Sequence, residues 1–142
     1  DSINLNHSII NLIEKFGNNV HLVTDPTRGG VATVLNEIAK QVNLGIDIFQ
    51  KNMPIEQQVA SACELLGLDP LYVANEGLFL SFVSADVADE ILKELQKDEN
   101  GANAKIIGSV VETHPRQVII ESSIGGKRVV SMLPGEQLPR IC

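Results

Sequence analysis

The apolar residues of this 142-residue chain recur with helical spacing in some segments and with strand spacing in others, and the two kinds of segment alternate. Helical spacing predicts helices over about residues 5–16, 31–43, 56–66 and 86–95. Short β-type runs predict strands at about residues 20–24, 45–49, 78–83, 105–111, 118–120 and 129–130. This order predicts an α+β domain, a layered α/β sandwich whose helices pack on a mixed or antiparallel sheet.

Length, charge and cysteine content exclude several classes of function. We expect one globular domain over residues 1–132, since a chain of this length can bury a real core. The net charge of -7 argues against nucleic acid as a partner, and no apolar run is long enough to span a membrane. Two cysteines, Cys63 and Cys142, make no disulfide framework and indicate a reducing, cytoplasmic setting. Cys63 lies in an apolar helical pattern and is predicted to be a small core residue.

Residues 133–142 are predicted to form a flexible arm that ends in a thiol. Pro134 and Pro139 disfavour a helix or a central strand, because proline fixes φ and lacks an N–H. Arg140 favours the Cys142 thiolate, whereas the terminal carboxylate disfavours it. A nucleophilic Cys142 therefore needs a positive or N–H-rich site, and the alternative is a frayed tail with an incidental cysteine.

A polar turn at residues 25–30 joins the first predicted strand to the second helix. Thr27 is expected to be the N-cap, which would place Gly29 and Gly30 in the first helical turn with their backbone N–H groups exposed. Such a helix start binds anions, and the planar donors of Arg28 suit phosphate. The turn predicts a phosphate contact, or alternatively a capped turn without a ligand.

Glu76 is the candidate general base of the chain. It follows Asn75, which can help to place it, and it precedes Gly77 and an apolar run. A carboxylate in this position is expected to be partly desolvated, which favours proton abstraction. The alternative is a solvated loop glutamate.

No residue pattern predicts a metal site in this chain. The histidines His7, His21 and His114 lack the spacing of metal ligands. Asp25 could hold the turn at 25–30 or orient Arg28, and a direct metal role for it is weaker. Four further carboxylates are predicted to lie on solvated faces: Asp47, Glu56, Asp98 and Glu99.

Three segments carry a resemblance to a known family: Asp25–Ala39, Ala62–Gly77 and Ser131–Cys142. They resemble the C-terminal half of the HypE family, the carbamoyl dehydratases of nickel–iron hydrogenase maturation. The ending Pro-Arg-Ile-Cys is highly specific for that family, whereas the first segment also suits the wider aminoimidazole-ribonucleotide synthetase (PurM-like) superfamily. Pro26 departs from the pattern, which has a small residue such as alanine there.

The resemblance implies a fold, a reaction and partners. The fold would be that of the PurM C-terminal domain. The whole protein would be about twice as long, with an N-terminal half that carries most of the site for ATP and Mg²⁺, and the start at Asp1 agrees with this. The carbamoyltransferase HypF would load Cys142, ATP would phosphorylate the carbamoyl oxygen, and Glu76 would take the nitrogen proton. The nitrile would pass to the HypC–HypD complex. The full-length protein would be a homodimer, and this chain alone would be inactive.

Two other interpretations stay open. The chain could be half of another ATP-dependent phosphotransferase of the superfamily, such as a selenophosphate synthetase or a purine-synthesis ligase. Those enzymes need no terminal cysteine, so the tail separates them from the dehydratase. The chain could also be a non-catalytic docking or dimerisation module for maturation proteins, which binding assays would separate from a catalytic role.

Overall fold

The computed structural model describes residues 3–132, so the predicted arm at 133–142 lies outside the described residues. The helices are α1 (Asn6–Phe16), α2 (Gly30–Val42), α3 (Gln57–Leu66) and α4 (Ala88–Leu95). The strands are β1 (Val20–Thr24), β2 (Gly45–Phe49), β3 (Leu80–Val83), β4 (Gly108–Val111), β5 (Val118–Glu121) and β6 (Lys127–Val129). Each predicted helix and strand is present, and β3 and β4 begin two and three residues later than their predicted starts at 78 and 105.

The chain folds into two compact units. Within the described residues, the first unit comprises residues 3–25 and 75–106, and the second comprises residues 26–74 and 107–132.

The first unit consists of α1 and α4 with a two-stranded antiparallel sheet of β1 and β3. Its core contains Leu12 and Phe16 from α1 and Ile91 from α4, packed against partly buried residues such as Val23 and Val83. These helix residues bury one apolar face each, as the helical spacing predicts. Val87 occupies the N-cap position of α4, and no side chain caps this helix end.

Polar contacts join α1 to α4 and to the turn that follows α4. The buried Ser8 hydroxyl donates a 2.5 Å hydrogen bond to Asp98, which is half-buried, so the prediction that Asp98 lies on a solvated face is only partly correct. This hydrogen bond, together with a second one from the Asn100 N–H, lowers the pKa of Asp98. The ammonium groups of Lys15 and Lys97 lie 2.6 and 2.7 Å from Glu94 and lower its pKa to about 2.

The second unit contains a four-stranded mixed sheet in the order β4-β2-β5-β6. β2 pairs parallel with β5 and antiparallel with β4, and β5 pairs antiparallel with β6. Helix α2 packs on β2 and β5, and its buried face is apolar except for Asn36. This arrangement confirms the predicted α+β class with helices on a mixed sheet.

A hairpin connects β5 and β6 through residues 122–126. The Gly125 N–H donates to the Ser122 carbonyl, and Gly125 adopts φ +89, which glycine reaches without steric cost. Gly125 therefore closes the turn of this hairpin, whose connection is longer than two residues.

Candidate functional site

The turn at residues 25–30 differs from its prediction in where the helix begins. Gly29, not Thr27, occupies the N-cap position of α2, and no side chain caps this end. Gly29 and Gly30 have φ of +71 and +61, values that favour glycine. The Gly30 N–H donates to the Thr27 carbonyl at 3.1 Å, so a backbone turn precedes the helix and delays it by two residues. The expected Thr27 cap is wrong for this reason.

The position of the N-cap bears on the two interpretations of the turn, a phosphate contact or a capped turn without a ligand. Capping would have explained Thr27 without any ligand, and the structure removes that explanation. The Gly30 N–H is already used within the turn, so an anion would have to bind other N–H groups of the first turn of α2. Arg28 is exposed beside them and can present its donors to phosphate.

Gly30 also lies in tight contact with the 3-10 turn Pro70–Tyr72. A Cβ atom at Gly30 would lie 2.6 Å from the Leu71 carbonyl oxygen and 2.7 Å from that of Val73. Neither backbone atom can move aside cheaply, so only glycine fits here. The backbone at the start of α2 therefore packs directly against the backbone of residues 71–73.

Glu76 lines an open cleft of about 400 Å³ in the first unit. The walls are mainly apolar and come from α1, the end of β1 and the residues before β3: Ile3, Leu5, Ile9, Val23, Leu78 and Phe79. Asp25 lines the same cleft, so the structure brings together two of the predicted site residues. Thr27, Arg28, Gly29 and Gly30 belong to the second unit, which the chain enters at Pro26.

The local geometry of Glu76 is set by its neighbours in the loop. The Asn75 side-chain oxygen accepts a 2.7 Å hydrogen bond from the Gly77 N–H and closes a turn around Glu76. Glu76 is exposed in this chain, so the predicted partial desolvation is wrong for the chain by itself. Among the described residues that line the cleft there is no lysine or arginine, so its charged side chains are the carboxylates of Asp25 and Glu76. A carboxylate in such a place can accept a proton.

Two other predictions concern residues that do not line the cleft. Cys63 is buried, with an exposed fraction of 6%, which confirms it as a core residue. Asp47 lies 3.4 Å from the His114 ring, so its predicted place on a solvated face is only partly correct. Within residues 3–132, no cluster of three or more His, Cys, Asp or Glu side chains could hold a metal ion, and no helix is long and apolar enough to cross a membrane.

Sequence reasoning missed the side chains that hold the segment before the arm. Asn36 and Tyr72 donate 2.8 Å hydrogen bonds to the carbonyls of Val130 and Ser131, respectively. The ammonium of Lys40 lies 3.1 Å from the sulfur of Met132. These contacts join residues 59 to 94 positions apart, and no local pattern in the sequence signals them.

Comparison with known proteins places this fold in a family. The family model described as AIR synthase related protein, C-terminal domain, matches residues 4–121. The carbamoyl dehydratase HypE of Bradyrhizobium diazoefficiens is 44% identical over 142 residues, which are 100% of this chain and 41% of that protein. The chain therefore spans about two fifths of the length of the curated relatives that it matches.

Solved structures agree with this comparison. A crystal structure of the hydrogenase maturation protein HypE has a TM-score of 0.91 at 41% identity and covers 98% of this chain and 45% of its own. A HypE–HypF complex gives 0.88 at 38% identity, with 94% and 43% covered. HypE in complex with ATP gives 0.84 at 40% identity, with 93% and 42% covered. The expected resemblance and the expected PurM C-terminal fold are confirmed.

Proposed function

The chain belongs to the AIR synthase related family as its C-terminal domain, and on that premise we propose that it is the C-terminal part of an ATP-dependent carbamoyl dehydratase of hydrogenase maturation. The observation that carries this proposal is the 44% identity to a carbamoyl dehydratase HypE over the whole chain, including its last residues. The complete protein would act in the cytoplasm, the setting favoured by the lack of a disulfide framework in this chain's sequence.

The proposed reaction uses the thiol of Cys142 as a carrier. A carbamoyl group on the sulfur is a thiocarbamate, S–C(=O)–NH₂. ATP transfers its γ-phosphoryl group to the carbonyl oxygen, which releases ADP and turns that oxygen into a leaving group. Loss of the nitrogen protons and of phosphate leaves a thiocyanate, S–C≡N. The net change is the loss of the elements of water from the thiocarbamate, coupled to ATP hydrolysis.

The chain supplies candidates for two of the tasks in this reaction. Glu76 takes a proton from the nitrogen, and Asn75 holds the turn that presents it. Arg28 and the first turn of α2 contact a phosphate, which would explain a Gly29-Gly30 start that no side chain caps. Asp25, on the wall of the same cleft as Glu76, can orient a cationic or N–H donor group there.

ATP and Mg²⁺ are proposed as the nucleotide and its cation. A HypE structure of 40% identity is in complex with ATP, which supports the nucleotide. Mg²⁺ would neutralise phosphate charge and would be held mainly by the N-terminal half, since residues 3–132 contain no suitable cluster of ligands. This chain alone is therefore not expected to turn over ATP.

The proposed partners follow from the route of the carbamoyl group. HypF would load Cys142, and the structure of a HypE–HypF complex at 38% identity supports that pairing. The HypC–HypD complex would receive the nitrile on iron, and the full-length protein would be a homodimer.

Replacement of Cys142 tests the proposal in the full-length protein with HypF and ATP. Intact-protein mass spectrometry should show the wild type gain a carbamoyl group and then lose the elements of water, whereas Cys142→Ala should stay unmodified. Cys63→Ala is the matched control, because Cys63 is buried and should leave both steps unchanged. Modification of Cys142→Ala at the wild-type rate would contradict the proposal.

A further inference from the structure

Three consecutive residues at the foot of the arm, Val130, Ser131 and Met132, are each held by a side chain of the second unit. We propose that the holding side chains, Asn36, Lys40 and Tyr72, form an arm anchor that positions Cys142 for dehydration. This inference rests on the proposed function and deepens it. It assigns Tyr72 as a positioning residue, which acts through the arm and does not touch the reacting atoms.

The contacts of the arm anchor are specific. Asn36 is only 5% exposed, and its amide nitrogen donates 2.8 Å hydrogen bonds both to the Val130 carbonyl and to the Ala32 carbonyl of its own helix. A buried amide with both donors engaged holds Val130 firmly. The Tyr72 hydroxyl then fixes the next carbonyl, that of Ser131.

The arm anchor is built on the same elements as the candidate phosphate turn. Asn36 and Lys40 lie on α2, which begins at Gly30. Tyr72 lies in the 3-10 turn whose backbone packs directly on Gly30. The foot of the arm is therefore fixed relative to the start of α2 through a few direct contacts.

This connection matters because the arm is short and carries two prolines. Its ten residues, 133–142, can span at most about 33–36 Å when fully extended. Proline fixes φ, so Pro134 and Pro139 restrict the directions that the arm can take from Met132 and thereby influence where the thiol arrives. Holding residues 130–132 in place raises the effective concentration of the Cys142 thiol at the protein's own site.

The two steps of the reaction should respond differently to the loss of this anchor. Loading takes place on a partner protein, which captures the arm with its own contacts. Dehydration depends on the arm reaching a site in its own protein. An anchoring residue should therefore affect dehydration and leave loading unchanged.

Tyr72→Phe in the full-length protein tests this difference, since it removes one hydroxyl and keeps the ring. Dehydration of the loaded protein should slow by about two- to fivefold, the range expected for one exposed neutral hydrogen bond. The rate of carbamoyl loading and the KM for ATP should stay at their wild-type values. Ser84→Ala is the matched control: its hydroxyl, 3.0 Å from the His21 ring, belongs to the first unit and makes no contact of the arm anchor, so neither step should change.

The same substitution in a protein with a lengthened arm shows whether Tyr72 positions the arm or has a general structural role. Two glycines inserted after Met132 should make the position of the Cys142 thiol independent of how residues 130–132 are held. Tyr72→Phe should therefore have no further effect in a protein that carries this insertion. An equal slowing in both backgrounds, a parallel loss of loading and dehydration, or no slowing at all would each overturn the inference. If the wild type itself is loaded but never dehydrated, the proposed function fails instead.

Discussion

The turn at Gly29-Gly30 and the cleft around Glu76 are both candidate parts of one reaction, yet they are built differently. The turn is defined by its backbone conformation and by the carbonyl oxygens of Leu71 and Val73, which lie too close to Gly30 to leave room for a side chain. The cleft holds an exposed carboxylate on a loop, shaped by one side-chain hydrogen bond. A site that depends on backbone packing can be complete within this chain. A base that needs desolvation must be shielded from solvent by a further part of the protein.

The largest effect expected from this comparison is on stability, at Gly30. Gly30→Ala should lower the free energy of unfolding by about 2–5 kcal/mol, because alanine is strained at φ +61 and its Cβ would overlap the carbonyl oxygens of residues 71 and 73. Chemical denaturation of this chain measures the change.

Gly67→Ala is the control, since Gly67 has a similar φ of +66 but nothing within 4 Å of the added Cβ. It should cost only about 1–2 kcal/mol, the conformational term alone. Equal losses at Gly30 and Gly67 would mean that the close approach contributes nothing and that the turn is not locked in place.

How far the sequence could predict these regions depends on the range of the interactions. Helix and strand positions follow from local apolar spacing, and α1 and β2 were predicted almost to the residue. The Gly29-Gly30 pair marked the turn correctly, but the N-cap was misplaced because a backbone turn from Thr27 competes with side-chain capping. The burial of Glu76 was wrong because exposure depends on the fold and not on apolar neighbours in sequence.

Contacts over long sequence separations were beyond prediction. The pairing of Tyr72 with Ser131 depends on β6 ending beside the 3-10 turn at Pro70–Tyr72, and nothing local to either residue indicates it. The same holds for Ser8 and Asp98, which are 90 positions apart. A single sequence contains the partners of such pairs but not their proximity.

A smaller effect is expected in the first unit as pH falls. Hydrogen bonds from Lys15 and Lys97 lower the pKa of Glu94 from an ordinary 4.5 to about 2. Stability from these contacts should be fully present above about pH 4.5 and should be lost as pH falls towards 2, because the folded state resists protonation of Glu94.

Amide hydrogen exchange of α1 and α4, measured between pH 4.5 and 2, checks this expectation after correction for the intrinsic exchange rate. Glu94→Gln should remove this part of the pH dependence, and added salt should weaken it because the charges lie near the surface. A pH dependence in Glu94→Gln identical to that of the wild type would assign the effect to other carboxylates. The turn at Gly30 should show no contribution from Glu94.

The most direct test of the account is the fate of the loaded thiol when Glu76 is replaced. Full-length Glu76→Gln should accept the carbamoyl group on Cys142 from HypF as readily as the wild type. With ATP present, intact mass should then show the carbamoyl adduct persisting, with dehydration slower by about a hundredfold or more, because glutamine cannot take the proton. Formation of the thiocyanate at the wild-type rate would show that Glu76 is not the base.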